Sequence, residues 1–207
     1  MLKDGSEMYV RLMILFVSLM AAQPRISYIL KLKDYCVSLF NCNKNMGRIR
    51  EVTMADAAAI TAIYNKYITE SVVTFETAAL SEEEMRKRIS ELSARGPYYV
   101  YEEAGRVEGY CYAHLWKERE AYLHTYETTI YLAQGMQRKG IGTQLLTCLI
   151  AECRKRGVHA LIACLTEGNA ASAALHQKLG FRLVSQFSEV GYKQGRWLGV
   201  TDYELRL

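Results

Sequence analysis

A chain of 207 residues, half of them hydrophobic, has enough apolar content for one globular domain with a real core and leaves room for a tail. The net charge is +4; residues 1–47 hold six Lys/Arg against three Asp/Glu, so the remainder is nearly neutral, which argues against a nucleic-acid-binding surface as the main function. The six cysteines (Cys36, Cys42, Cys111, Cys148, Cys153 and Cys164) form no CxxC pair and meet no histidine at zinc-finger spacing, so the expectation is no metal and buried, reduced thiols in a cytoplasmic protein.

Residues 1–47 differ from the rest. Leu12 to Ala22 is an apolar run of roughly signal-peptide length behind Lys3 and Arg11, too short to span a bilayer. Three readings compete: a leader or membrane-surface segment, an extra helix packed on the domain, or upstream sequence from a start codon assigned too early. The third is preferred, because Met46 is a natural initiator for the domain over 48–207, and no catalytic role is expected for the segment.

The domain then alternates. Arg48 to Thr53 reads as a strand, and Asp56 as the N-cap of a helix whose apolar face holds Ala59, Ile60, Ile63, Tyr64 and Tyr67. Ser71 to Glu76 is a loop. Ser81 and Glu84 make a capping box for a second helix running to about Ala94, stopped by Gly96-Pro97. Tyr98 to Glu102 and Val107 to Leu115 form a hairpin around Ala104-Gly105-Arg106. After a polar connection from Trp116 to Ala121, Tyr122 to Leu132 reads as a long strand. A helix with Ile141, Leu145, Leu146, Leu149, Ile150 and Cys153 on one face ends at Gly157. Ala160 to Leu165 is a strand apolar enough to be covered on both faces. Asn169 caps a last helix to Leu179. Phe181 to Phe187 and Val200 to Leu207 are closing strands, with Gly191, Gly195 and Gly199 punctuating the loop between them.

Three groups could carry chemistry. Between the strand ending at Leu132 and the following helix stand Arg138, Lys139, Gly140, Ile141, Gly142 and Thr143. A helix N-terminus with glycines and cations has the physics of a pyrophosphate cradle. The spacings of the Rossmann and Walker A loops are both missing. Asn169, Ser172 and His176 share one face of the last helix, which is either a ligand-facing line or a cap on a solvated face. Glu127 lies in the strand that enters the cradle. Strand glutamates are usually solvated, but an amine nucleophile must lose a proton, and a carboxylate can take it.

Gln137-Arg138-Lys139-Gly140-Ile141-Gly142, set between a strand and an amphipathic helix, resembles the acyl-CoA signature of the GNAT N-acetyltransferase superfamily. The stretches 126–132, 168–181 and 190–197 look like its phosphinothricin/methionine sulfone acetyltransferase branch. The resemblance implies an α/β (α+β) GNAT acyl-CoA N-acyltransferase fold, with a mixed, twisted sheet of about six to seven strands flanked by about four helices. It makes Glu127 the general base and His176 a second catalytic candidate, as base, as proton donor or as an ordering partner. It aligns the pantetheine arm of acetyl-CoA with Ile130, Tyr131 and Leu132, where backbone N–H groups would also stabilise the oxyanion. It assigns the pyrophosphate to residues 138–143, with Asn169 and Ser172 contacting the cofactor. It assigns the acceptor to Phe75, Lys117, Glu118, Arg119, Glu127, Thr128 and Thr129. His114 and Gly199 depart from the branch, where a small residue and an aspartate are common; both are expected near the acceptor.

The implied activity is acetyl transfer to the amine of a small amino-acid-like substrate by direct attack, without a covalent enzyme intermediate, in detoxification or salvage. The alternatives are another acceptor (polyamine, antibiotic or protein N-terminus) or a non-catalytic acyl-CoA-binding module. A homodimer is expected by analogy; nucleic acid and membrane are not expected partners of the domain.

Overall fold

The computed structural model describes residues 47–207, so the readings made for the segment ahead of Gly47 lie outside the described residues. The chain order is β1 (Arg48–Glu51), α1 (Ala57–Glu70), α2 (Glu82–Arg95), β2 (Tyr98–Glu103), β3 (Arg106–Leu115), β4 (Thr125–Leu132), α3 (Ile141–Lys155), β5 (Ala160–Thr166), α4 (Ala170–Lys178), β6 (Arg182–Lys193) and β7 (Arg196–Arg206). The seven strands form one sheet in the order β1-β2-β3-β4-β5-β7-β6. Every neighbouring pair is antiparallel except β4 with β5. The expected number and order of strands and helices are both met. Among the described residues, no helix is long and apolar enough to cross a membrane.

Each sheet face has its own core. On one, Ile60 and Ile68 of α1 and Ile89 of α2 pack with Val100 and Tyr110. On the other, Leu145, Leu146, Leu149 and Cys153 of α3 pack with Cys111, Leu161 and Ala163. The 3–4 spacing of those α3 residues makes one apolar stripe, and the stripe fixes the helix across β2 to β4. The capping box of α2 is complete: Glu84 N–H donates to Ser81 Oγ at 3.2 Å, and Ser81 N–H to Glu84 Oε2 at 2.7 Å.

Two local expectations are corrected. Asp56 does not cap α1. Its carboxylate turns back to accept from the Thr53 N–H at 2.7 Å and from both Arg50 terminal nitrogens at 2.8 and 2.7 Å. Burial pushes this carboxyl up, but the Arg50 and Thr53 hydrogen bonds outweigh it and hold the group below the usual range. Nor do the three late glycines share a loop. β6 and β7 run on to a two-residue turn, Gln194-Gly195, with φ of 50° and 77°. Gly191 and Gly199 are in the strands, because a Cβ at Gly191 would overlap the Phe75 ring and one at Gly199 would come within 2.6 Å of Phe187 O.

That hairpin clamps the α1–α2 loop. Lys193 is buried and donates from Nζ to Thr74 O at 2.8 Å, and Gln194 reaches Ser71 O at 3.4 Å. Lys193→Ala is therefore expected to lose about 1–2 kcal/mol. It should also speed amide hydrogen exchange across residues 71–76 beyond the general loss of stability. Unchanged exchange there would show that Tyr64 and Phe75 hold the loop without the hairpin.

Candidate active site

The site begins where two parallel strands part. β4 and β5 pair only at Thr125↔Ala160, Tyr126↔Leu161 and Glu127↔Ile162. Thr128 Oγ1, donating to Ile162 O at 3.3 Å, is the last link. Beyond it β4 stays paired with β3 as far as Leu132, while β5 follows β7 to Thr166↔Val200. Residues 128–132 therefore keep one backbone edge without a strand partner, and that edge walls a cleft of about 570 Å³. Tyr67 closes its far end by donating to Leu132 O at 2.6 Å.

At the head of the cleft the chain turns into α3. Gln137 braces the turn, accepting from Gly135 N–H at 3.0 Å and donating to Ala133 O at 3.2 Å. Gly135, Arg138 and Gly140 have φ of 78°, 61° and 80°. For Arg138 this is a strained conformation, of the kind that clusters at functional sites. The backbone N–H groups from Arg138 through Thr143 have no acceptor among the described residues. With the positive end of the α3 dipole behind them, they form an anion cradle. Gln137, Arg138, Gly140, Gly142 and Thr143 line the cleft. The side chains of Lys139 and Ile141 do not. Lys139 Nζ lies 3.3 Å from Met136 Sδ, and Ile141 is buried in the core, so both are left to contribute backbone N–H groups. Gly142 is small where α3 meets α4: a Cβ there would sit 3.0 Å from Leu175 Cδ2.

The opposite wall is α4. Asn169 Oδ1 caps it by accepting from Ser172 N–H at 3.2 Å. His176 is 1% exposed. Its Nδ1 lies 2.8 Å from Ser172 O, so Nδ1 carries the hydrogen and donates it, and Nε2 is left without a partner. Burial lowers the imidazole pKa and keeps the ring neutral, edge-on to Phe181 at 5.0 Å. A neutral ring protonated at Nδ1 has no proton to give at Nε2. The Nδ1–H bond to Ser172 O ties the ring to the first turn of α4, and the Nε2 lone pair stays open, which suits an ordering partner or a base.

Glu127 is the cleft's half-buried carboxylate, and desolvation pushes its pKa up; Asp202 adds to the rise and His114 opposes it. A carboxyl raised toward neutrality is a stronger proton acceptor when ionised. Cys164, expected in the core, instead faces the cleft, because β5 has left β4 and lost cover on that side. Its thiol is pushed up to about 12 by desolvation and by Glu127 and Asp202, so it is no thiolate nucleophile.

The cleft brings together Glu127, Thr128, Thr129, Ile130, Tyr131, Leu132, Asn169, Ser172 and His176. It does not take in Phe75, which lies against Gly191, though Val73 of the same loop lines it. Lys117, Glu118 and Arg119 stay outside as well. Lys117 Nζ sits 3.9 Å from the Trp116 ring centroid, a cation–π contact that folds the run onto its own connection. Tyr67 and Cys164 were missed as lining residues. Apolar periodicity placed Tyr67 on a buried face, but its hydroxyl reach is not legible from spacing.

Residues 49–201 match the family model described as an acetyltransferase (GNAT) domain. The L-methionine sulfoximine/L-methionine sulfone acetyltransferase of Salmonella typhimurium is 36% identical over 163 residues, covering 77% of this chain and 94% of that protein. A phosphinothricin N-acetyltransferase of Streptomyces viridochromogenes is 37% identical over 161 residues, covering 76% and 88%. Among solved structures, a putative acetyltransferase from Salmonella typhimurium with its cofactor acetyl-CoA superposes with a TM-score of 0.76 at 34% identity, covering 78% of this chain and 94% of that one.

The raised Glu127 carboxyl has a consequence for stability. The folded state prefers the protonated form, so stability falls as pH climbs from the ordinary carboxylate range through the raised value. Glu127→Gln should melt at a higher temperature than the parent at pH 8, with the gap closing toward pH 4 in a thermal-unfolding series. A gap that widens on acidification would contradict the burial argument.

Proposed function

The chain belongs to the GNAT acetyltransferase family, and from that premise we propose that it transfers acetyl from acetyl-CoA to the primary amine of a small amino-acid-like substrate of the methionine sulfone, methionine sulfoximine or phosphinothricin type. The observation that carries this reading is the continuity of one cleft from the free N–H groups of residues 138–143 to the half-buried carboxylate of Glu127.

The residues suit the donor. The amides of 138–143 and the Arg138 guanidinium would hold the pyrophosphate. The unpaired edge at Ile130 to Leu132 would pair with the pantetheine arm as an added strand does. Asn169 and Ser172 face it from α4. Acetyl-CoA supplies an activated acyl group; the protein supplies position and proton removal. An α-ammonium group is largely protonated at neutral pH, and Glu127 takes the proton that blocks its lone pair. The amine then displaces the thiol, giving amide, free thiol and one released proton. Backbone N–H groups near Ile130 stabilise the charge that gathers on the acyl oxygen. Thr128 and Thr129 lie on the acceptor side of the cleft, and the acceptor class itself is supported by the names of the relatives.

A homodimer is supported by the outer strand. Leu183, Val184, Phe187, Val190 and Tyr192 of β6, with Trp197 of β7, are exposed on the edge of the sheet, a patch of the kind that marks interaction surfaces.

The test is free-thiol release from acetyl-CoA with a panel of amines. Release is expected with methionine sulfone, methionine sulfoximine or phosphinothricin at higher kcat/KM than with polyamines or peptide N-termini. Tight acetyl-CoA binding without release for any amine would overturn the proposal in favour of a binding module. Glu127→Gln is expected to lower kcat by about 10²–10⁴-fold while acetyl-CoA affinity holds.

A further inference from the structure

A titratable group not used so far faces Glu127 from the neighbouring strand. His114 lies directly opposite Glu127 in the antiparallel β3–β4 ladder. Residues paired in this way project to the same face, with Cβ atoms about 4.5–5.5 Å apart. The ring is fixed at its other end: Nδ1 is 2.9 Å from Leu115 O, so Nδ1–H is the donor and Nε2 is the nitrogen left free. Nε2 makes no hydrogen bond to any described residue, and Tyr112 packs against the ring at 5.8 Å between centroids.

The other groups around Glu127 are of different kinds. Tyr112 on β3 and Cys164 on β5 are both held protonated by burial. Asp202 on β7 is a carboxyl fixed by accepting from Ser185 Oγ at 2.7 Å. From the α1–α2 side, Arg88 and Glu76 act on Tyr112 and are bonded to each other. His114 is thus the one neighbour whose field favours the ionised carboxylate, against Asp202 and burial.

We propose that His114 is a positioning residue for Glu127: its Nε2, free of other partners, faces the carboxylate across the strand pair, and as the imidazolium it donates Nε2–H to the carboxylate and keeps it ready for the amine proton. This rests on the reading of Glu127 as the base. In the step, an N–H bond of the ammonium breaks, an O–H bond forms on Glu127, and the proton then leaves to water, which regenerates the carboxylate. No electrons change hands, and the proton is the one the overall reaction must release. The base of this chain is then a carboxylate with an imidazole partner. Relatives with a small residue opposite their glutamate would lack it.

The test is the pH profile of kcat/KM on the best amine for the wild type, His114→Gln, His114→Lys and Glu127→Gln. His114→Gln removes the cation and should move the acid limb to higher pH by about one unit. It should cost several-fold in kcat near pH 6.5 and progressively less toward pH 9, with unchanged acetyl-CoA affinity. His114→Lys restores a cation and should return the limb toward its wild-type position. A limb that stays in place in His114→Gln, with only the amine KM altered, overturns the proposal and makes His114 a spacer in the pocket. A wild-type profile in Glu127→Gln instead overturns the base assignment on which the proposal stands.

Discussion

The parting of β4 and β5 is the constraint on which the rest of this structure depends. A parallel pair is held by backbone hydrogen bonds along its length, and here the pairing stops after Glu127↔Ile162. Each strand is kept in place by its outer neighbour: β4 by β3 as far as Leu132, β5 by β7 as far as Thr166. The sheet therefore stays continuous at one end and opens at the other. The opening exposes a strand edge, puts the N-terminal turns of α3 and α4 on opposite lips, and leaves Glu127 at the fork. Gly142 against Leu175 sets how closely the two helices approach.

The fork also gathers the features that cost the fold most. Unsatisfied N–H groups, a non-glycine residue at φ 61°, a half-buried carboxylate and an unpartnered imidazole nitrogen would each be destabilising in an ordinary core. They are tolerated because the two cores flanking the sheet are apolar and complete, from Ile60 and Ile89 on one face to Leu146 and Leu161 on the other. Local rules break together where a ligand would repair them: an anion would satisfy the cradle, an added strand the open edge.

Much of this was legible in the sequence because the signals are local. The capping box at Ser81, the stripe on α3 and the glycines around Arg138 each follow from neighbours within a few residues, and each appears as read. The failures come where the deciding partner lies outside the local pattern that was read. Gly191 looked like loop punctuation because nothing local reveals the Phe75 ring it accommodates. Asp56 looked like a cap because its pull from Arg50 depends on how β1 enters α1. Cys164 sits in an apolar run, yet its exposure is set by β4 leaving its side. Asn169, Ser172 and His176 do share a helical face and line the cleft, but spacing does not reveal that the Ser172 carbonyl takes the His176 Nδ1–H and leaves Nε2 open. Lys117 to Arg119 are charged as a substrate contact should be, but the Trp116 and Tyr122 rings draw Lys117 back onto its own loop.

The central claim is that the open edge of β4 and the free amides ahead of α3 act as one binding surface for the acyl donor. It is tested most directly by residue-resolved amide hydrogen exchange with and without acetyl-CoA. The account predicts slowed exchange at residues 130–132 and 138–143 together, saturating over the same acetyl-CoA range. Protection absent from both segments, or present at only one of them, while the protein still binds acetyl-CoA would contradict it.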